Sequence, residues 1–195
     1  MRPVFTIIFG IFLSIISIVL FIHDAEYIFT GNTINLNEVL ENGEEIPNGK
    51  YVTYTCYAPL GNYAETQEYL NGFIPLPFKT QEFAVLTEND MIISAEIGNK
   101  NKIQEMEKLT DDFLTSDDDF YGSMELTGYL GSNNSEMVGY LQEYFEDVDF
   151  EAKGISVSWY SIDTTKTRLS VAGLCVGMFL IGGVVIIAGI GKKRM

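Results

Sequence analysis

Two uncharged apolar blocks, Pro3 to Ile22 and Leu169 to Ile190, bracket an acidic middle, and no other feature limits the fold of this chain as much. The polar side chains of the first block are Thr6, Ser14 and Ser17. A helix needs about 20 apolar residues to cross a hydrocarbon core of roughly 30 Å. A bilayer offers backbone groups no water, so each block is expected to form a transmembrane helix. The alternative for the first block is a cleaved signal peptide, for which Arg2 supplies a basic start. Signal-peptide cores run to about 7–15 residues, however. This block is longer, and Phe21 to Glu26 offers no small-x-small cleavage site. An uncleaved anchor is expected.

Basic residues near span ends favour the cytoplasm. Arg2 precedes the first block, and Lys192, Lys193 and Arg194 follow the second. The expected layout is a cytoplasmic segment 1–2, a helix 3–22, an extracytoplasmic domain 23–168, a helix 169–190 and a cytoplasmic basic tail 191–195. Lys166 and Arg168 lie on the opposite side of the second span and pull weakly against this orientation. The membrane is expected to be the cell membrane, with both ends inside. The ending Lys192-Lys193-Arg194-Met195 also has the form of a dilysine retrieval signal, which makes the endoplasmic reticulum the alternative. The positive-inside anchor is the plainer reading of the same residues.

All 27 acidic residues lie between the blocks, against eight basic ones, which gives the middle a net charge of −19. Such a surface repels nucleic acid and anionic headgroups. The expected partners are the bilayer itself and a protein or a second copy of the chain, with no nucleic acid. The two cysteines, Cys56 in the middle and Cys175 in the second block, cannot readily pair. A domain of this size can bury enough core to fold without a disulfide.

Within the middle, Leu36, Val39 and Leu40 suggest a short helix capped by Asn35 or Thr33. Lys50 to Tyr57 is β-branched and aromatic and reads as a strand. Tyr63 to Leu70 reads as a second, after which Pro75 and Pro77 should interrupt regular structure. Phe78 to Thr87 and Met91 to Ile97 form a hairpin around Glu88-Asn89-Asp90. Asn101 to Thr115 spaces Ile103, Met106, Thr110, Phe113 and Leu114 on one helical face. A strand from Gly122 to Leu130 follows, then a helix from Ser135 to Val148 with Asn133 and Glu136 placed as a capping box. The last strand runs from Ile155 to Ile162, with Val157, Trp159 and Tyr160 expected to pack inward. The fold class is α+β: a curled, mostly antiparallel sheet with two or three helices, for which a partly open barrel of the oligonucleotide/oligosaccharide-binding type is one form.

The spans carry small residues. Gly173 and Gly177 form a G-x-x-x-G pair, Gly182 and Gly183 follow, and Gly10, Ser14 and Ser17 share one face of the first helix. In an antiparallel pair Gly10 falls level with Gly182 and Ser17 near Cys175, so close helix packing is expected, with self-association as the alternative.

Catalytic chemistry finds little to use. The one histidine, His23, sits at the edge of the first block, and no nucleophile–base, phosphate-loop or dinucleotide pattern is present. No enzyme activity, no cofactor and no built metal site are expected. The most acidic segment, Asp111 to Asp119, places Asp117, Asp118 and Asp119 as weak cation ligands. Read as an EF-hand from Asp117, it has Tyr121 and Gly128 where oxygen ligands belong. A solvated acidic loop is the plainer reading. Asn133-Asn134-Ser135 matches a glycosylation sequon, which matters only in a eukaryotic secretory pathway.

The span–domain–span layout, Asn48-Gly49-Lys50-Tyr51-Val52, Ile74-Pro75-Leu76-Pro77 and Leu126-Thr127-Gly128-Tyr129-Leu130 together resemble a family of uncharacterised bacterial two-pass membrane proteins. That resemblance implies an extracytoplasmic domain between two spans and no particular activity. The layout is also similar to membrane proteins with a barrel-like domain between spans, including some ubiquitin ligases. The chain has no cysteine/histidine RING, so ligase activity does not carry over. The function expected is that of a membrane-anchored, non-enzymatic interaction or assembly module. A cation or small-ligand sensor using Asp111–Asp119 is the alternative.

Overall fold

The computed structural model describes residues 3–70, 74–116, 122–149 and 152–193. They form two compact units, Met1–Asn32 with Thr167–Met195, and Thr33–Lys166.

The first unit is a pair of helices, α1 (Pro3–Thr30) and α5 (Arg168–Lys193). Both are long and apolar enough to cross a membrane. Gly10 lies against Gly182 and Ile186, Ser17 Oγ donates to the Cys175 carbonyl at 2.6 Å, and Arg168 reaches Ile28 and Phe29, so the pair is antiparallel. The small residues set the separation. A Cβ on Gly10 would meet Ile186 Cγ1 at 2.7 Å and the Gly182 carbonyl at 2.8 Å. A Cβ on Gly182 would run into the Ser14 hydroxyl. Gly173 and Gly177 have open space where a Cβ would stand and take no part in this contact. At the far end α1 stops at Gly31, whose φ of +71° suits glycine and whose N–H donates back to the Tyr27 carbonyl. The last carbonyls of α1 would be left without donor partners. Arg168 supplies them: Nε and Nη2 donate to the Ile28 carbonyl at 3.2 and 2.9 Å, and Nη2 also to that of Phe29 at 3.0 Å.

The second unit is one mixed sheet with three helices. Its elements are β1 (Ile34–Asn35), α2 (Leu36–Glu41), β2 (Lys50–Cys56), β3 (Ala58–Leu70), β4 (Ile74–Leu86), β5 (Met91–Ile97), α3 (Lys100–Thr115), β6 (Met124–Ser132), α4 (Ser135–Tyr144) and β7 (Ser156–Asp163). Across the sheet the order is β1-β2-β6-β7-β5-β4-β3. The β1–β2 and β5–β7 pairs are parallel and the others antiparallel. The sheet is not closed into a barrel, so the expected partial barrel is replaced by an open sheet with β1 and β3 at its edges.

Strand side chains alternate between faces, and the two faces differ in chemistry. Val52, Tyr54, Phe83, Val85, Ile93, Ile97, Leu126, Leu130 and Ile162 point to one side and form the main core with Leu36, Val39 and Leu40 of α2 and Met106 and Leu109 of α3. Burying each such side chain is worth about 1.5–3 kcal/mol. On the other side a smaller cluster of Ala84, Ile92 and Leu141 lies under α4, and polar residues fill the rest of that face. At the short edge strand, Asn37 replaces a missing ladder. Its Oδ1 accepts from Thr55 N–H at 2.7 Å and its Nδ2 donates to the Thr55 carbonyl at 3.0 Å, where the backbone of β1 has already turned into α2.

Two local expectations are corrected. Pro75 and Pro77 do not interrupt structure: β4 begins at Ile74, and Pro75 pairs with Tyr69. β5 pairs only with Gln81–Leu86, so the proline half of β4 has one unpaired side, where a residue without an N–H is tolerated. Trp159 does not pack inward and is 55% exposed. Between the pairs Ile92–Val157 and Ser94–Ser161, β7 advances four residues while β5 advances two, and Trp159 lies on that bulge.

Overpacking a tight helix contact costs about 1–3 kcal/mol. In detergent-solubilised protein, Gly182→Leu is therefore expected to lower the thermal midpoint of the α1–α5 pair, and Gly173→Leu to leave it nearly unchanged. Equal effects in helical circular dichroism melts would contradict the packing described.

Candidate functional site

Alternation along β4 places Thr80, Glu82, Ala84 and Leu86 on the polar side of the sheet. The hairpin register sets Glu82 directly opposite Glu96, and the parallel β5–β7 register sets Glu96 opposite Asp163. β6 and β2 continue the row with Tyr129 and Tyr51. Three carboxylates thus lie side by side on adjacent strands, an arrangement that like-charge repulsion disfavours. The next row along consists of small residues, Ala84, Ser94, Ser161 and Gly131. They leave a cleft of about 570 Å³ whose rim includes Ser132, Asn134 and Met137 at the start of α4.

Glu82 is the deepest of the three acids, only 4% exposed, and its Oε2 has no hydrogen-bond partner among the described residues. Beside it a set of neutral polar side chains holds the cleft wall. Asn133 Nδ2 donates to Ser94 Oγ at 2.8 Å and to Tyr63 Oη at 3.3 Å, and the two hydroxyls share a 2.8 Å hydrogen bond. At the other end of the row Lys166 Nζ is 3.2 Å from Asp163 Oδ2 and 4.4 Å from the centroid of the Tyr129 ring, which itself packs edge-on against Tyr51.

Burial pushes the Glu82 carboxyl up to about 8, and Glu96 and Asp163 add to the shift, while a hydrogen bond from Tyr63 opposes it. Burial likewise raises the Tyr63 phenol to about 12, with the Glu82 charge contributing. The Cys56 thiol is also raised by burial to about 12, inside the main core. Neither Tyr63 nor Cys56 has the lowered pKa of an activated nucleophile.

The residues singled out in the sequence lie elsewhere. Asp111 and Asp112 are exposed on the last turn of α3. Asp117, Asp118 and Asp119 fall outside the described residues. No group of three potential metal ligands converges among the described residues. Gly10, Ser14, Ser17 and Gly182 belong to the helix pair, and Gly173 and Gly177 do not join it. Asn133, the sequon asparagine, spends its amide inside the cleft wall. Glu82 was missed because a lone glutamate in a strand reads as a solvent-facing position. The hairpin turn at Glu88–Asp90 carried the signal, since it fixes which residue opposes which.

A family model described as a domain of unknown function (DUF8577) matches residues 2–191. The chain belongs to this family. The DUF8577 match runs through both long helices as well as the sheet, so the family unit is the whole helix–domain–helix arrangement. No curated protein and no solved structure matches the chain.

The raised Glu82 carboxyl makes stability depend on pH. Between its ordinary value of 4.5 and about 8 the folded protein keeps a proton that the unfolded chain gives up. Stability therefore falls as pH rises through that window, by up to about 1.4 kcal/mol per pH unit, and levels off above it. Urea unfolding of the wild type and Glu82→Gln at pH 5, 6.5 and 8 checks this: the variant should gain on the wild type as pH rises. Parallel pH profiles would show that the carboxyl is not protonated in the folded state.

Proposed function

We propose that the chain is a non-enzymatic recognition module held to a membrane at both ends, with residues 33–166 on the extracytoplasmic side and the cleft as its binding surface. The observation that carries this reading is the cleft itself: a concave polar site of about 570 Å³ around a buried, incompletely bonded carboxyl. Small-molecule sites are concave, and a few placed polar groups give them orientation. The ligand-sensing role that the sequence attached to Asp111–Asp119 is better supported at Glu82, Glu96 and Asp163. A protein partner or a second copy of the chain would dock over the same face.

The proposed orientation rests on the basic ends. Lys166 and Arg168, the two cations that weaken it, have local tasks at Asp163 and at the end of α1. Lys192, Lys193 and Arg194 are then the charges that set the topology, with both termini in the cytoplasm and the cell membrane as the proposed location. Binding is favoured over catalysis because the Ser94 hydroxyl bonds to the neutral Tyr63 and Asn133 side chains, and burial raises the Tyr63 phenol instead of activating it.

A photo-crosslinking residue in place of exposed Ser132 at the cleft rim tests the reading in native membranes, with the same residue in place of Asp112 on α3 as control. The expected result is a discrete adduct, small molecule or protein, from position 132 and none from position 112. Absence of any adduct at 132, or the same adducts at both positions, would end the recognition-module reading.

A further inference from the structure

Resting on the reading of the cleft as a binding site, we propose that its ligand is a small organic cation whose primary ammonium group is received by Glu82, with Glu96 alongside. Three independent features converge on this chemistry. Glu82 is more than nine-tenths buried, lines the cleft and has an oxygen, Oε2, without a hydrogen-bond partner. A buried acceptor left in this way costs about 1–3 kcal/mol until a donor reaches it. Second, the cross-strand row sets Glu96 against Glu82 and Asp163 against Glu96, so negative charge accumulates along the cleft floor. Third, the cleft already seats one ammonium. Lys166 Nζ lies on the Asp163 carboxylate and over the face of Tyr129, the pairing of anion and aromatic ring that ammonium groups favour. Among the described lining residues Lys166 is the sole cation. It neutralises the Asp163 end of the row and leaves the Glu82 end for a ligand.

The size of the site favours an organic ion over a metal. About 570 Å³ is within the range of small-molecule pockets, roughly 300–1,000 Å³, and far exceeds a bare ion. The three carboxylates stand in a row across adjacent strands, and among the described residues no group of three is placed to hold a metal ion. The asparagine and serine side chains of the rim, Asn48, Asn134 and Ser132, provide neutral groups for the rest of the ligand.

The charge balance of binding is fixed by the groups that face Glu82. These are Glu96 on β5, Asp163 on β7 and Tyr63 on β3, with Tyr129 on β6 and Lys166 at the mouth, while α4 presents the uncharged Met137. Burial and the neighbouring Glu96 and Asp163 charges push the Glu82 carboxyl towards its protonated form, up to about 8. An arriving ammonium favours the carboxylate, so the Glu82 proton leaves to solvent and a hydrogen-bonded ion pair takes its place. Binding therefore releases a proton below about pH 8 and none well above it.

Calorimetry on the full-length protein in nanodiscs of zwitterionic lipid tests the proposal. The probes are putrescine, cadaverine and spermidine, with succinate as the anionic control, xylitol as the neutral one and calcium chloride as the metal. At least one amine is expected to bind, with proton release at pH 6.5 that disappears at pH 9.5. Glu82→Gln should weaken that binding at least roughly tenfold, the loss of one charge-assisted hydrogen bond. Lys166→Met, which removes the resident cation, should tighten it. Glutamine has the shape of the protonated acid, so the variant should keep the wild-type far-ultraviolet circular dichroism. No heat from any of the three amines, or unchanged amine affinity in Glu82→Gln, overturns the proposal. Binding of succinate, xylitol or calcium alone, lost in Glu82→Gln, overturns the ammonium assignment while the cleft remains a binding site. Silence from every probe together with no adduct at position 132 removes both.

Discussion

The polar side of the sheet depends on where β7 enters it. The last strand inserts between β5 and β6, parallel to the first and antiparallel to the second. That insertion joins the β2–β6 pair to the β3–β4–β5 meander. It also completes the carboxylate row, because Asp163 reaches Glu96 only through the parallel register. Gly128 marks how closely β6 and the end of β7 approach: a Cβ there would collide with the Asp163 carbonyl. Without β7 nothing would join β6 to β5, and the strands would form two separate sheets.

The two faces of this sheet resolve burial differently. On one side, large apolar residues meet α2 and α3 and leave little for a polar group to do. On the other, α4 covers only the end around Ala84, Ile92 and Leu141. The remaining surface holds acids close enough to repel one another; burial and this repulsion raise the Glu82 carboxyl towards its protonated form, and Asp163 is paired with Lys166. Native folds keep such a frustrated arrangement where a local cost has another use.

Much of the element order was legible from local signals. Leu36, Val39 and Leu40 announced α2, Asn35 caps it as a side chain with that role should, and the β4–β5 hairpin follows its turn. The strands from Lys50, Met91 and Ile155 were visible in their alternation and β-branched content. What was hidden depends on distant parts of the chain. The parallel β1–β2 and β5–β7 pairs leave no local signature, so an open mixed sheet looked like a curled antiparallel one. Trp159 looked buried because alternation cannot anticipate a bulge, and Pro75 looked like a breaker because its strand half lacks a second neighbour. Of the candidate site, the Glu82–Glu96 pair could have been read from the hairpin turn alone. Asp163 and Lys166 could not, since they join through nonlocal pairing.

The fork from Arg168 to Ile28 and Phe29 has a consequence for the chain between them. With α1 and α5 paired, residues 33–166 are a loop whose two ends are held together whether or not that loop is folded. Closing a chain of such length removes entropy from its unfolded ensemble, on the order of 4–5 kcal/mol by the cross-link estimate for about 100 residues. The helix pair therefore acts on the sheet as a covalent bridge would, but by packing glycine against glycine. A domain closed in this way loses much of the need for a disulfide, and its one cysteine, Cys56, stays buried as a free thiol.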